Sequence, residues 1–340
     1  MDNYYLNIIR KYLKKNDKQL LLEELMISLI MSTYNGAEYI VEQLDSIRLQ
    51  SRTADEVIIC DDCSTDNTVA ILQGYVSYYS LSAWKIKRNN ENKGWKRNFR
   101  ELLQEAQGEI IFPCDQDDIW HLDKIERMTA ILQENPDIKL LASNYTPIYT
   151  AEGQKLSLSR EEREENQSVY KPTDLKNFFY IMRPGCVYAV KKELVKYFDT
   201  YISEEDPHDA FLWHIATLID SLYIYNSSTI FFRRHSNNAT RRVKLTKQAH
   251  IEKLNYYADV IARMRRFLEQ EKPVSNETTI NSVECFRKWI SLRQELQNGG
   301  GIMTALKLLP YLKCYYSPRT YLADLYFLLM KGKSVNEDKS

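Results

Sequence analysis

Three short apolar runs in the first third of the chain each stop at a polar cluster. Met26-Ile27-Ser28-Leu29-Ile30-Met31 stops at Ser32-Thr33-Tyr34-Asn35-Gly36. Glu56-Val57-Ile58-Ile59-Cys60 stops at Asp61-Asp62-Cys63-Ser64-Thr65-Asp66. Ile110-Ile111-Phe112 leads through Pro113 to Cys114-Asp115-Gln116-Asp117-Asp118-Ile119-Trp120. Runs of this length, bounded by turn residues, predict strands buried on both faces. Between them Ile40, Leu44 and Ile47, then Phe99, Leu102, Leu103 and Ala106, recur at helical spacing. A weaker strand over Trp84 to Lys87, a helix over His121 to Gln133 and a strand over Ile138 to Ala142 continue the alternation. Strands alternating with helices predict an α/β fold around a mostly parallel sheet. Its strand ends gather where such sheets hold ligands.

The pattern changes along the chain. Residues 1–25 carry Tyr4-Tyr5, Ile8-Ile9 and Tyr12-Leu13 at helical spacing, with Lys11, Lys14, Lys15 and Lys18 on a basic face, and predict a helical extension. Residues 26–240 hold the α/β domain. Within it Thr150 to Ser168 reads as a polar excursion, and Arg183-Pro184-Gly185-Cys186 enters a strand running to Val190. The acidic loop Ser203-Glu204-Glu205-Asp206-Pro207-His208-Asp209 runs into a helix over Ala210 to Leu218. Ser227 to Phe232 is a further strand, followed by Arg233-Arg234-His235-Ser236-Asn237-Asn238. From about 241 to the end the period is helical. Ile251, Leu254, Ala258, Ile261 and Leu268 line one face, and Val283, Phe286, Ile290 and Leu296 another. Asn298-Gly299-Gly300-Gly301 breaks the pattern, and Met303 to Met330 mixes aliphatic and aromatic residues with lysine and arginine.

Composition narrows the function classes. Lysine plus arginine and aspartate plus glutamate number 46 each, so the net charge of zero offers no general attraction to nucleic acid. Six cysteines are scattered over 340 residues. Cys60 and Cys63 form one C-x-x-C with no second pair to complete a zinc site, so the cysteines read as reduced core residues. No 18-residue apolar span and no leader-like apolar run occurs, which predicts a cytoplasmic chain, with peripheral contact at the inner face of the cell membrane as the variant. No G-x-G-x-x-G follows the first strand and no G-x-x-x-x-G-K-[ST] occurs, which argues against dinucleotide and P-loop sites.

The candidate chemistry lies at the strand ends. Asp115, Asp117 and Asp118 put three carboxylates within four residues at the end of a buried strand. Hard oxygen donors in that number suit Mg²⁺ or Mn²⁺, and an ion there would neutralise phosphate charge. A solvated turn capping the next helix is the plain alternative. Asp209 opens a helix and can be read as its N-cap, while Glu204, Glu205 and Asp206 are its rivals in the same loop for the base role that the resemblance given next implies. His208 and His214 read as structural.

Together, Ser32 to Gly36, Asp61 to Asp66 and Asp115 to Trp120, in this order and spacing, resemble the family 2 glycosyltransferases of the GT-A fold, over roughly residues 26–240. The segments Pro207-His208-Asp209 and Arg234-His235-Ser236-Asn237-Asn238 are similar to the bacterial rhamnosyltransferases of surface-polysaccharide assembly. Cys63 stands where that family usually has glycine. The resemblance implies that Ser32, Thr33 and Tyr34 hold base and ribose, and that Asp62 accepts from a uracil or thymine N–H. It implies that Asp115, Gln116 and Asp117 meet the rest of the donor, that Asp117, with Asp115 and His235, ligates Mn²⁺ or Mg²⁺, and that Asp209 is the general base. The implied reaction moves a sugar from a dTDP- or UDP-sugar to a glycan, lipid-linked or protein-linked hydroxyl with inversion, with dTDP-L-rhamnose as the specific donor expected. A UDP-hexose donor, a non-catalytic nucleotide-sugar-binding assembly protein and a nucleotidyltransferase are the alternatives. The last would need a basic glycine-rich loop after the first strand, and Ser32 to Ala37 has one glycine and no lysine or arginine.

Overall fold

The computed structural model describes residues 25–150, 165–235, 246–273 and 277–330, with side chains to 326. The predicted helix over residues 1–25 and most of the excursion after Thr150 lie outside the described residues, as do Ser236, Asn237 and Asn238.

The predicted strands form where the apolar runs lie. They are β1 (Ile27–Thr33), β2 (Glu56–Asp61), β3 (Trp84–Arg88) and β4 (Ile110–Cys114), with α1 (Ile40–Arg48), α2 (Thr68–Tyr78) and α3 (Trp95–Glu105) between them. Every residue of β2 and β4 is buried, as expected of parallel strands covered on both faces. β1 sits centrally, with Met31 opposite both Ile59 of β2 and Cys114 of β4, and Thr33 opposite Asp61. This register sends the three polar clusters out side by side.

Beyond β4 the sheet becomes mixed. Next come β5 (Ile119–Trp120), α4 (Lys124–Glu134), β6 (Leu140–Tyr149), β7 (Val169–Tyr170), α5 (Leu175–Phe179), β8 (Tyr188–Lys191), α6 (Phe198–Tyr201), α7 (His208–Leu218) and β9 (Leu222–Arg234). The order is β3-β2-β1-β4-β8-β6-β9-β5, with β7 also on β9. β8 is antiparallel to both β4 and β6, while β9 is parallel to β6. Parallel pairing therefore runs through β3, β2, β1 and β4 and is interrupted at β8. β9 is longer than the expected Ser227 to Phe232 because it pairs along β6 for most of its length. The two-residue β5 pairs Ile119 with Phe231 and Trp120 with Ile230, so the end of β9 returns to the acidic turn before β5.

Two compact units emerge. The first comprises residues 1–171, 183–212 and 221–237, and the second 172–182, 213–220 and 238–340. They are not consecutive in sequence, since two earlier pieces group with the helical C-terminal part. The second unit contains α8 (Lys247–Glu271), α9 (Glu277–Gln297), α10 (Ile302–Lys307), a 3₁₀ turn (Leu309–Cys314) and α11 (Pro318–Met330). On α9 the expected Val283, Phe286, Ile290 and Leu296 are all buried, joined by Trp289. On α8 Leu254 and Ile261 are buried as expected, but Val260, Met264 and Phe267 complete the inner face rather than Ile251, Ala258 and Leu268. Asp324 of α11 is fully buried and takes hydrogen bonds from the Arg293 guanidinium (2.7 and 3.1 Å) and from Tyr315 Oη (2.7 Å). His250 Nε2 lies 2.6 Å from the same carboxylate.

Candidate active site

The site is built at the C-terminal ends of β1, β2 and β4, closed by the end of β9 and the start of α7, all within the first unit. At β1, Thr33 Oγ1 donates to Asp61 Oδ1 (3.1 Å), and Ser32 Oγ accepts from Asn98 Nδ2 (2.8 Å). Tyr34 is exposed. Gln116 clamps its backbone: Tyr34 N donates to Gln116 Oε1 (2.9 Å) and Gln116 Nε2 donates to Tyr34 O (3.0 Å). Glycine at 36 leaves room for this clamp, because a Cβ there would lie 2.2 Å from Gln116 Oε1 and displace that side chain. The first two predicted segments are thereby one structure with the third.

At β2 the two aspartates divide the work. Asp61 is fully buried and closes its own turn, accepting from Ser64 N (2.8 Å) and from the Thr33 and Ser64 hydroxyls. Asp62, also buried, accepts from Asn89 Nδ2 (2.8 Å), Lys93 N (2.9 Å) and Gly94 N (2.8 Å). It therefore organises the loop entering α3, and any donor N–H must share a carboxylate already bonded three times. Cys63 adopts φ +67°, the left-handed conformation that costs a non-glycine residue about 1–2 kcal/mol. Asp66 reads as a turn residue and behaves as one, accepting from Thr68 N (3.0 Å) and Ala37 N (3.1 Å).

At β4 the carboxylates crowd. Asp115 is half-buried and has its pKa pushed up to about 7, by burial first and then by the charge of Asp117, with Asp209 adding to it. Asp118 is fully buried. Burial, then Asp117 and Asp115, push its carboxyl well above the ordinary carboxylate range. Its Oδ1 accepts from Arg233 N (3.0 Å), and the Cys186 thiol lies beside it. Under the turn sits Lys124, also fully buried. Its ammonium donates to Cys186 O (2.6 Å) and lies 3.6 Å over the Trp120 ring. Burial draws its pKa down to about 8 against the opposing pull of the neighbouring acidic groups.

The end of β9 completes this edge. His235 Nε2 lies 2.7 Å from Asp117 Oδ2, and its ring packs on Tyr39 at 4.9 Å. Arg233 donates through Nε to Asp117 O (2.8 Å), pairs with Glu42 and stacks over Tyr39. From β8 and α7 come Gly185, His208 and Asp209. A Cβ on Gly185 would meet His208 Nε2 at 2.8 Å and Asp209 Cβ at 3.0 Å, so glycine permits the approach. His208 is buried, stacks on Phe99 at 4.2 Å and has neither ring nitrogen bonded. Burial lowers its pKa against the opposing charge of Asp209. Asp209 is half-buried and accepts from Ala210 N (2.8 Å). Of its rivals, Asp206 is buried and bonded to Ser203 N (2.8 Å), and Glu204 and Glu205 are exposed. In the second unit, His214 Nε2 lies 2.8 Å from Phe179 O, a structural contact.

The fold thus joins Tyr34 to Gln116 and Thr33 to Asp61 along one lip and sets His235 beside Asp117, whereas Asp115, expected with them, groups with Asp118 and Cys186. Sequence reasoning missed Asn98, Lys124 and Tyr39. Two of them left a signal. Asn98 is a polar residue on the apolar stripe of α3, beside Phe99 and Leu102. Lys124 is a cation in the first turn of a helix, where the helix dipole disfavours it. As for a metal, the 2.7 Å between Asp117 and His235 is close to the roughly 3 Å edge between neighbouring ligands of an octahedral ion with bonds of about 2.1 Å. The carboxylate oxygens suit Mn²⁺ or Mg²⁺, and the imidazole beside them is the softer donor, less suited to Mg²⁺. A second grouping, Asp115, Asp118 and Cys186, suits a hard ion poorly, because one of its three donors is a soft, buried cysteine sulfur.

Comparison with known proteins fits this geometry. The family model described as Glycosyl transferase family 2 matches residues 28–193. The dTDP-rhamnosyl transferase RfbG of Shigella flexneri is 32% identical over 219 residues, 61% of this chain and 72% of that protein. The poly(ribitol-phosphate) beta-N-acetylglucosaminyltransferase TarS of Staphylococcus aureus is 34% identical over 116 residues, but these are 34% of this chain and only 20% of that protein. In structure, S. aureus TarS 1-349 in complex with UDP-GlcNAc superposes with a TM-score of 0.58 at 16% identity, covering 89% of this chain and 88% of that one.

Proposed function

The chain belongs to glycosyltransferase family 2, with the GT-A fold and a nucleotide-sugar donor, and from that premise we propose an inverting, metal-dependent transferase that moves L-rhamnose from dTDP-rhamnose to a hydroxyl of a glycan, glycolipid or glycoprotein in the cytoplasm. The rhamnose assignment is supported by the likeness to RfbG. A UDP-hexose donor is the second reading, favoured by the likeness to TarS. The observation that supports the proposal is that His235 meets Asp117 at 2.7 Å at the end of the sheet where Asp115 feels the charges of Asp117 and Asp209.

Ser32, Thr33 and Tyr34 hold base and ribose, Tyr34 by its exposed ring, and Asp62 accepts the pyrimidine N–H. Gln116 keeps that lip in register with the acidic turn. Asp117, with His235 and Asp115, holds Mn²⁺ or Mg²⁺, which when bound supplies positive charge to offset that growing on the leaving diphosphate. Asp209 takes the proton of the acceptor hydroxyl as that oxygen attacks the anomeric carbon from the face opposite the diphosphate. One displacement inverts the anomeric centre.

Thermal shift with a panel of nucleotide sugars, with Mn²⁺ and with chelator, tests the assignment on wild type and Asp117→Ala. A ligand that binds the native state raises the melting temperature by mass action. Stabilisation by dTDP-rhamnose that needs metal and disappears in Asp117→Ala is the expected result. Stabilisation by a UDP-sugar alone replaces the donor, and stabilisation that ignores metal removes the metal from the proposal.

A further inference from the structure

The last described stretch of the second unit carries an unusual surface. α10, the 3₁₀ turn and α11 each pack one side on α9. Thr304, Ala305, Leu308, Cys314, Tyr315 and Asp324 are buried there. The Tyr321 hydroxyl donates to Ala305 O (3.2 Å), which ties α11 to α10, and the Arg293–Asp324–Tyr315 network pins both ends of the stretch. Their other side faces outward and is largely apolar. Ile302 is 74% exposed, Met303 68% and Leu322 60%, with Leu306, Leu309 and Tyr316 also exposed. Side chains of this kind, repeated over so short a stretch, exceed the scattered apolar residues of an ordinary surface.

Charge selects the occupant. Lys307, Lys313 and Arg319 are all exposed within the same stretch. From Gly299 to Tyr326 the sole acidic residue is Asp324, which is buried and bonded. The exposed side chains of the stretch itself are therefore apolar or cationic, and Glu295 of α9, bonded to Thr304 (2.7 Å), is the acidic group beside it. No helix of the described residues is long and apolar enough to cross a membrane. An apolar face with a basic fringe and no spanning helix suits the interface of an anionic bilayer, where apolar side chains enter between headgroups and lysine and arginine meet lipid phosphate.

We propose that the face formed by α10, the 3₁₀ turn and α11 docks the protein on anionic lipid membranes. The surface stands on its own exposure and charge. It rests on the transferase reading only in that a membrane would then present lipid-linked acceptors.

Flotation of the full chain with phosphatidylcholine vesicles, with and without phosphatidylglycerol, tests this. The expected result is binding to anionic vesicles, weakening as salt rises from about 0.1 M to about 1 M, over which the screening length falls from about 10 Å to about 3 Å. Each basic residue at such a surface is worth about fivefold in partitioning, the equivalent of about 1 kcal/mol. The triple variant Lys307→Glu, Lys313→Glu, Arg319→Glu should therefore bind about 100-fold more weakly. The variant Met303→Ser, Leu306→Ser, Leu309→Ser should lose binding to both vesicle types. Both change exposed positions outside the strand-edge site, so metal-dependent stabilisation by nucleotide sugar should match wild type, and its failure would speak to the transferase reading instead. Absence of wild-type binding to anionic vesicles, or equal binding by wild type and both variants, overturns the proposal. So does a change of oligomeric state in the serine variant, seen by light scattering, without vesicle binding, because the face then joins copies of this chain.

Discussion

At the strand edge of the first unit, Asp115 and Asp118 lie among other carboxylates, whereas in the helical unit Asp324 lies among donors. Burial raises the pKa of all three. At Asp324 the hydrogen bonds from His250, Arg293 and Tyr315 overcome it and hold the carboxyl below its usual range. At Asp115 and Asp118 the neighbouring aspartates add to burial, and the pKa values rise. The helical carboxylate is thus complete within its own unit. The strand-edge cluster carries a surplus of negative charge that a cation can offset. Unsatisfied charge gathered at one end of a sheet is what a binding site requires, and saturated charge is what a structural joint requires.

The largest effect that would sharpen this contrast is on chemistry. Asp209→Asn should lower kcat by about 10²–10⁴ with nucleotide-sugar binding by thermal shift retained, and an unchanged kcat would return Asp209 to the role of helix cap. Next is stability. Arg293→Met leaves Asp324 buried and short of its main partner, and urea unfolding should show a loss of about 3–5 kcal/mol. Asp118→Asn keeps the shape of a carboxyl whose ionisation burial and its neighbouring aspartates oppose, so its cost should stay below about 1 kcal/mol, within the range of mild substitutions. Equal losses in the two variants would erase the distinction between the regions.

Acidity separates the regions further. Asp324 has a depressed pKa, so its contribution is present above the unfolded carboxylate value and is lost as pH falls through its folded value, below about 4. Asp115 has a raised pKa. The stability gained by keeping it neutral is fully present below about pH 4 and is lost as pH rises through about 7. A metal needs the ionised form, so Mn²⁺ affinity measured by calorimetry should increase between about pH 6 and 8. A flat profile would detach Asp115 from the metal. The smallest effect is Cys63→Gly, which relieves the left-handed backbone at φ +67° and should raise stability by about 1 kcal/mol in the same urea assay.

Much of the first unit was legible in the sequence because its signals are local. A buried parallel strand must be apolar throughout, so Ile27–Thr33, Glu56–Asp61 and Ile110–Cys114 announce themselves, as do the polar turns that end them. Cys63 was visible as an odd residue in a tight turn, and its positive φ explains the oddity. On α9 the inner face follows from spacing. On α8 it does not, because Leu254 and Ile261 fit several registers and the packing partner selects Val260, Met264 and Phe267.

The sequence by itself determined which segments are strands and helices, where carboxylates cluster and where the polar turns lie, since these depend on period, turn chemistry and residue type over a few positions. Only the tertiary structure decided that Gln116 fills the space beside Gly36, that Lys124 lies buried under the acidic turn, and that β5 folds onto β9 to set His235 beside Asp117, 118 residues away in the chain. Those pairings are long-range. Their free energy depends on burial and on neighbouring charge, and both arise only when distant strands share one sheet.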